Sequence, residues 1–141
     1  MKVRFFNLDR SPNIRQKTSL KKFVESIFVK EKKSLESINY IFCSDKKLLK
    51  INQQYLNHDF YTDVITFDLS HKKSQIVGEV YISVDRIVEN SKETKNPIYI
   101  ELQRVVFHAA LHLCGYNDKT PKEIRKIRSL ENLLLNKFNN A

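Results

Sequence analysis

VVFHAALHLCGYND, residues 105–118, is the stretch that determines the fold of this chain. Apolar side chains lie on every side of a helix that ends near Cys114, so this helix must cross the protein interior. Gly115 follows the last apolar residue, which is where a glycine commonly ends a helix. His108 and His112 interrupt the apolar pattern four residues apart, which places them on one face with Cβ atoms roughly 5–6 Å apart. The stretch therefore predicts a buried helix that carries a buried pair of imidazoles.

Asp118 is the candidate third member of this group. A glycine adopts a left-handed conformation without strain, so Gly115 allows the chain to reverse and to bring Asp118 back over the helix. Two neutral imidazoles and one carboxylate, with a fourth position open, form the kind of ligand set found in catalytic zinc sites. Cys114 is two residues from His112 and faces elsewhere, so we do not count it as a ligand. The spacing leaves one alternative open: a histidine pair that is hydrogen-bonded in the core, with Asp118 as a turn residue.

Ala109 occupies the position after the first histidine. Zinc peptidases with the H-E-x-x-H pattern carry their general-base glutamate there, so a peptidase of that kind is disfavoured. A bound metal would have to lower the pKa of its own water, or another group would have to accept the proton.

The chain has 141 residues, of which 41% are hydrophobic and 29% charged, with two Gly and three Pro. This composition excludes collagen-like and disordered chains and predicts one domain, residues 1–141, with its own core. No apolar run reaches membrane-spanning length, and the start, MKVRFFNLDR, does not resemble a secretory signal. We therefore expect a cytoplasmic protein without a membrane partner, in which Cys43 and Cys114 are buried free thiols.

The charge balance is strongly basic, with 25 Lys and Arg against 16 Asp and Glu and a formal net charge of +9. A field of this sign attracts polyanions and makes nucleic acid the first partner to consider. A lysine-rich genomic composition would produce the same excess, so the charge alone does not define a site.

Hydrophobic periodicity and turn residues predict nine elements in the order βαβαββααα, which is an α+β arrangement with helices beside one sheet. The predicted strands span 2–8, 38–43, 64–67 and 76–83, and the predicted helices span 14–32, 46–55, 84–95, 98–114 and 121–138. The last two strands are joined by a short loop and should pair antiparallel. Gly78 indicates a bulge or a close backbone approach, and Thr120 with Pro121 should begin the last helix.

The run HAALHLCGYND, residues 108–118, resembles the H-G-x-L-H-L-x-G-Y-D-H motif of the YbeY family, bacterial endoribonucleases also called ribosomal RNA maturation factors. Three further stretches agree in order and spacing. Asn52 to Tyr55, Asp59 and 62–67 are similar to N-x-x-Y-R-x-x-D-x-P-T-D-V-L-S-F, and 78–83 is similar to G-D-I-x-I-S. Residues 101–105 also resemble the segment that leads into the family's metal helix.

The resemblance implies a zincin-like α+β fold with a small mixed sheet flanked by helices, typical of metal-dependent hydrolases. It implies one zinc ion, Zn²⁺, held by His108, His112 and the residue at 118, and cleavage of single-stranded RNA. It further implies a part in maturation of the 3′ end of 16S ribosomal RNA and in ribosome quality control, with the ribosome or a subunit as partner.

Three features of this chain depart from the family pattern. Asp118 stands where the family has its third histidine, after Asn117 in place of Asp, and a carboxylate makes the metal a weaker Lewis acid. Ala109 replaces the Gly of the motif, which a helix tolerates. Leu56 stands where the family has an Arg, so the cation expected to hold a phosphate is absent, and His58 would replace it only in part.

Our hypothesis from the sequence is a metal-dependent endoribonuclease whose zinc activates water or polarises a phosphodiester oxygen, while a Lys/Arg-rich groove positions the RNA backbone. The sequence assigns no catalytic residues beyond the metal ligands and no residues that bind substrate. The alternatives are a metal-dependent hydrolase of another substrate and a non-enzymatic ribosome-assembly factor with a structural zinc.

Overall fold

The computed structural model describes residues 2–72 and 74–140, and its elements follow the predicted order βαβαββααα. The strands are β1 (Val3–Asn7), β2 (Leu35–Cys43), β3 (Val64–Asp68) and β4 (Ile76–Ser83). The helices are α1 (Lys17–Lys30), α2 (Asp45–Leu56), α3 (Val84–Thr94), α4 (Ile98–Leu113) and α5 (Pro121–Asn139).

The four strands form one mixed sheet in the order β1-β2-β4-β3. β2 lies parallel to both β1 and β4, and β3 pairs antiparallel with β4, as the short connecting loop predicted. Ile38 of β2 lies opposite Val3 on one side and Gly78 on the other. The predicted α+β class with a small mixed sheet flanked by helices is confirmed.

Local hydrogen bonds begin three of the helices where polar residues precede an apolar run. The Ser44 hydroxyl accepts from the backbone N–H of Lys47 at the start of α2, and Ser83 does the same for Arg86 in α3. Thr120 and Glu123 form a reciprocal capping box at the start of α5. The prediction that the last helix begins at this threonine is confirmed.

Two predicted boundaries are wrong. β2 begins at Leu35 and not at residue 38, because residues 35–37 lack the β-branched and aromatic side chains that mark 38–43 as a strand, whereas pairing with β4 extends it to Leu35 across a register shift. α1 begins at Lys17 and not at residue 14, because Gln16 has a left-handed backbone with φ 52°, which a helix cannot continue through.

α4 packs deeply in the molecule, and most of its residues are buried. The hydroxyl of Tyr40, on β2, donates a 2.9 Å hydrogen bond to the carbonyl of Val106 and ties the helix to the sheet. Beside it, a Cβ atom at Gly78 would lie only 2.5 Å from Cδ1 of Leu113. The predicted close approach at Gly78 is therefore found, and it brings the last turn of α4 against β4.

Cys43 and Cys114 are free, buried thiols, which confirms the prediction made for them. Burial raises the pKa of each thiol to about 12, so both stay protonated at neutral pH. Among the helices in the described part of the chain, none has both the length and the apolar character required for a transmembrane segment.

Candidate metal centre

His108 and His112 share one face of α4, and this face lines a cavity of about 860 Å³. The side chain of His108 is 23% exposed, and His112 is exposed. The expectation that both imidazoles are buried is therefore wrong. The apolar residues around them do pack inward, but the histidine face lines a cavity open to solvent.

The turn after α4 has the geometry predicted from Gly115. This glycine has φ 108°, its N–H donates to the carbonyl of His112, and the N–H of Tyr116 donates to that of Leu111. These two bonds form a Schellman motif, which closes a helix and reverses the chain. Asp118 then follows within reach of the helix face.

Asp118 meets His108 directly, with 3.3 Å between Oδ2 of the carboxylate and Nε2 of the imidazole. Two ligand atoms bound at about 2.0–2.1 Å to one tetrahedral zinc would themselves lie roughly 3.3 Å apart. The observed separation thus fits two ligands of one ion. The same distance also suits an ion pair between a carboxylate and a protonated imidazole.

The other nitrogen of each imidazole has a partner. His108 Nδ1 lies 2.6 Å from Oε2 of Glu131, and His112 Nδ1 lies 3.1 Å from the carbonyl oxygen of Tyr116. An Nδ1–H that donates to an oxygen leaves Nε2 as the lone-pair nitrogen, which is the arrangement of metal-binding histidines. Both imidazoles are therefore held with Nε2 available to a metal.

The three predicted ligands do not form a ready-made metal site. Within residues 2–72 and 74–140, no group of three or more His, Cys, Asp or Glu side chains is arranged so that it could hold a metal ion. His108 and Asp118 are brought together, whereas His112 shares their cavity without completing such a group. The chemistry of the donors and the orientation of both imidazoles still suit zinc.

Glu131 is a functional candidate that the sequence analysis missed. It is 3% exposed on α5, and its Oε1 accepts a 3.2 Å hydrogen bond from Nη1 of Arg104 while its Oε2 faces His108. The position was detectable in principle, because Ile127, Glu131 and Leu135 fall at four-residue intervals on the buried face of α5. A carboxylate on an apolar stripe requires a partner.

The charges around His108 set its protonation. Burial acts to lower its pKa, but the hydrogen bond and charge of Glu131, with the charges of Asp118 and Asp63, outweigh burial and raise the pKa above 6.5. Asp63 itself has a raised pKa because it is desolvated, which His108 and the amide of Asn90 oppose only in part. The amide nitrogen of Asn90 lies 3.5 Å from Oδ2 of Asp63, and both residues line the cavity.

The cavity lining is more acidic than the sequence suggested. Its described residues include only two Lys or Arg side chains, Arg104 and Arg128. Its carboxyl groups are Asp63, Glu93, Glu101, Asp118 and Glu131. The expectation of a Lys/Arg-rich groove is therefore not met by this lining, because the basic residues lie mainly elsewhere on the protein.

The family Arg has no direct replacement at its own position. Leu56 lines the cavity, and so do His58 and Phe60 from the loop that follows α2. The proposed partial replacement, His58, is thus at the cavity, where its ring stacks on Phe60 with 5.0 Å between centroids.

The site defines a candidate metal-dependent hydrolase. It combines an interior helix with two oriented imidazoles, a carboxylate brought back by a glycine turn, and an open cavity.

A model of the family Endoribonuclease YbeY matches residues 6–139. The chain is 44% identical over 136 residues to Endoribonuclease YbeY of Cytophaga hutchinsonii, covering 95% of each protein. It is 47% identical over 133 residues to the Flavobacterium psychrophilum protein of the same name, covering 94% of each.

The fold is similar to the solution structure of TM1509 from Thermotoga maritima, with a TM-score of 0.64 and 26% identity over 96% of this chain and 88% of that one. The chain belongs to the YbeY family of endoribonucleases.

Proposed function

We propose that this chain is a zinc-dependent endoribonuclease that cleaves single-stranded RNA, with one domain, residues 1–141, carrying the activity. Its substrate in the cell is the precursor 3′ end of 16S ribosomal RNA, which it meets on the ribosome or a subunit in the cytoplasm, where it also serves ribosome quality control. Family membership supports the reaction class. The main support for the proposed metal centre is the 3.3 Å distance between Nε2 of His108 and Oδ2 of Asp118.

One Zn²⁺ would be held by Nε2 of His108, Nε2 of His112 and the carboxylate of Asp118. When bound, such an ion polarises a phosphodiester oxygen and lowers the pKa of water. Glu131 holds the imidazole of His108 in the tautomer that presents Nε2, because its carboxylate accepts the Nδ1–H at 2.6 Å. The carbonyl oxygen of Tyr116 accepts from Nδ1 of His112 and orients that imidazole in the same way.

Asp63 is our candidate for the group that accepts a proton, the task left open by Ala109. It lines the cavity, and its desolvation raises its pKa, which makes its carboxylate a better base than an ordinary surface aspartate. Its contact with the amide of Asn90 is long, so an oxygen remains free to accept a hydrogen bond from water or a hydroxyl.

Arg128 is our candidate for the phosphate contact that Leu56 cannot make. Its side chain is 54% exposed at the cavity, and its Nη1 forms an ion pair with Oε1 of Glu131 at 3.5 Å, longer than the 3.2 Å pair that Arg104 makes with the same atom. Arg104, by contrast, is committed to Glu131 and to Asn132, which accepts from it at 2.8 Å. Arg128 therefore has donors available for a phosphodiester oxygen.

The test measures zinc content and cleavage of single-stranded RNA in His108→Ala, His112→Ala and Asp118→Ala. His71→Ala is the matched control, because His71 is an exposed histidine outside the cavity lining. We expect each ligand variant to lose zinc and cleavage while the control keeps both. Wild-type zinc content and activity in all three ligand variants would overturn the proposal.

Two further measurements separate the alternatives. Peptides and small phosphoesters tested beside RNA distinguish a hydrolase of another substrate. Accumulation of unprocessed 16S RNA with a folded, ribosome-binding ligand variant excludes a purely structural zinc.

A further inference from the structure

The loop between α2 and β3 presents aromatic side chains to solvent. Phe60 is 56% exposed and Tyr61 is 52% exposed, and Phe60 lines the same cavity as the histidine face of α4. The rings of His58 and Phe60 are stacked, with 5.0 Å between centroids and 22° between planes. One aromatic pair thus lies at the candidate centre with much of its surface exposed.

Hydrogen bonds from α2 hold this loop in place. The side-chain amide of Asn52, which is 1% exposed, donates to the carbonyl of Phe60 at 2.9 Å. Gln53 donates to the carboxylate of Asp59 at 2.5 Å. Because both anchors belong to the helix, Phe60 is presented by a supported backbone rather than by a free loop.

The charges of the cavity give it little attraction for a polyanion. Five carboxyl groups face two arginines in the described lining, and both arginines form ion pairs with Glu131. Even a bound dication would leave the lining without a strong positive field. A strand that enters here must gain affinity from contacts that do not depend on charge, and stacking of bases on aromatic rings is such a contact.

We propose that Phe60, backed by the ring of His58, binds an unpaired nucleobase of an RNA strand by stacking. The inference rests on the proposed function and adds to it a base-binding position beside the metal centre. It also gives a physical reason for preferring single strands, because a base in a duplex is stacked between its neighbours and its face is not available. Stacking accepts any base, so this contact selects strand type rather than sequence.

The chain contains no tryptophan, so Phe60→Trp creates a single fluorescent reporter at the proposed position. Tyr55→Trp is the matched control, because Tyr55 is 64% exposed in the same region but does not line the cavity. The probe is a nuclease-resistant 2′-O-methyl RNA of about eight nucleotides, within the range of known single-strand site sizes. We expect this strand to quench the indole fluorescence of Phe60→Trp and to leave that of the control unchanged, and the same strand in a duplex to quench neither.

Affinity provides a second readout. Phe60→Ala should weaken binding of this RNA roughly five- to a hundredfold, as the loss of one base–aromatic stack does, while zinc content stays at the wild-type value. Phe60→Tyr should restore the affinity, because a phenol ring presents the same face. Circular dichroism checks that each variant is folded.

Equal quenching at both positions, or unchanged affinity in folded Phe60→Ala, would overturn the stacking proposal. Cleavage by the wild-type enzyme then still stands as separate support for the proposed function. If the wild-type enzyme does not cleave RNA but Phe60→Trp is quenched, the nuclease proposal fails and the base-binding position stands.

Discussion

Nδ1 of His108 lies 2.6 Å from Oε2 of Glu131, although the two residues are 23 positions apart. The contact joins α4 to α5 at the candidate metal centre, where Glu131 is almost fully buried. The imidazole on α4 thus takes its orientation from the last helix, α5. α5 is therefore part of the centre as well as part of the core.

Glu131→Gln should weaken zinc binding roughly 10- to 100-fold, the usual cost of losing a carboxylate behind a metal-binding histidine. Glutamine fills the same volume but lacks the charge that makes the imidazole a stronger donor. Competition with a chromophoric zinc chelator measures the affinity, and Glu36→Gln, an exposed glutamate on β2, serves as the control. Equal affinity in both variants would contradict an orienting part for Glu131.

Zinc affinity should fall as the pH is lowered, and the decline should begin above pH 6.5. Glu131, Asp118 and Asp63 outweigh burial and raise the pKa of His108, so its proton competes with the metal at a higher pH than for a free imidazole. Chelator competition at a series of pH values gives the profile. Glu131→Gln loses one of these charges, so the midpoint of the zinc-affinity profile should move to lower pH. An unchanged midpoint would show that the charge of Glu131 does not raise the pKa of His108.

Asp63→Asn should stabilise the protein at neutral pH while it reduces cleavage. Burial raises the folded-state pKa of Asp63 above 3.8, so the folded state binds this proton more tightly than the unfolded state. The contribution of Asp63 to the free energy of unfolding therefore falls as pH rises from about 3.8 through the raised pKa. Asparagine cannot ionise, so the variant should gain in Tm relative to wild type between pH 4 and pH 7.

The same variant should lose roughly a hundredfold or more in cleavage rate if Asp63 accepts a proton in the reaction. Thermal melts at the two pH values and a single-turnover assay at saturating zinc measure the two effects. A stabilised variant with wild-type cleavage would remove Asp63 from the reaction while leaving the assignment of its pKa intact.

Arg128→Gln should weaken RNA binding without loss of zinc. A lost phosphate contact lowers the slope of log affinity against log salt by about 1. Arg125→Gln is the control, because Arg125 is an exposed arginine on the same helix but does not line the cavity. Equal slopes in the two variants would show that both arginines act only through the general charge of the protein.

Short-range chemistry explains which parts of this fold the sequence predicts. Gly115 ends α4, Thr120 begins α5, and the four-residue spacing of His108 and His112 needs only helical geometry. Each of these features depends on residues within one or two turns. The sequence therefore predicts the order of elements, the interior helix with its two histidines and the turn that brings Asp118 back to it.

The features that escaped prediction depend on contacts between distant segments. The start of β2 depends on a register shift against β4, and the pairing of Glu131 with His108 depends on how α5 packs on α4. The exposure of His112 depends on the neighbouring elements leaving a cavity beside α4. Periodicity along a helix shows which of its faces is apolar. It does not show whether a distant segment covers the polar face or leaves it open.

Gly78 lies in a strand, but its lack of a side chain affects the end of the helix that carries His112. A methyl group of Leu113 occupies the space where any larger residue would place its first carbon, and Leu113 is the immediate neighbour of His112. Any larger residue at position 78 would have to displace this methyl group. A substitution at this position, which lies outside the cavity lining, would therefore push against the residue next to His112.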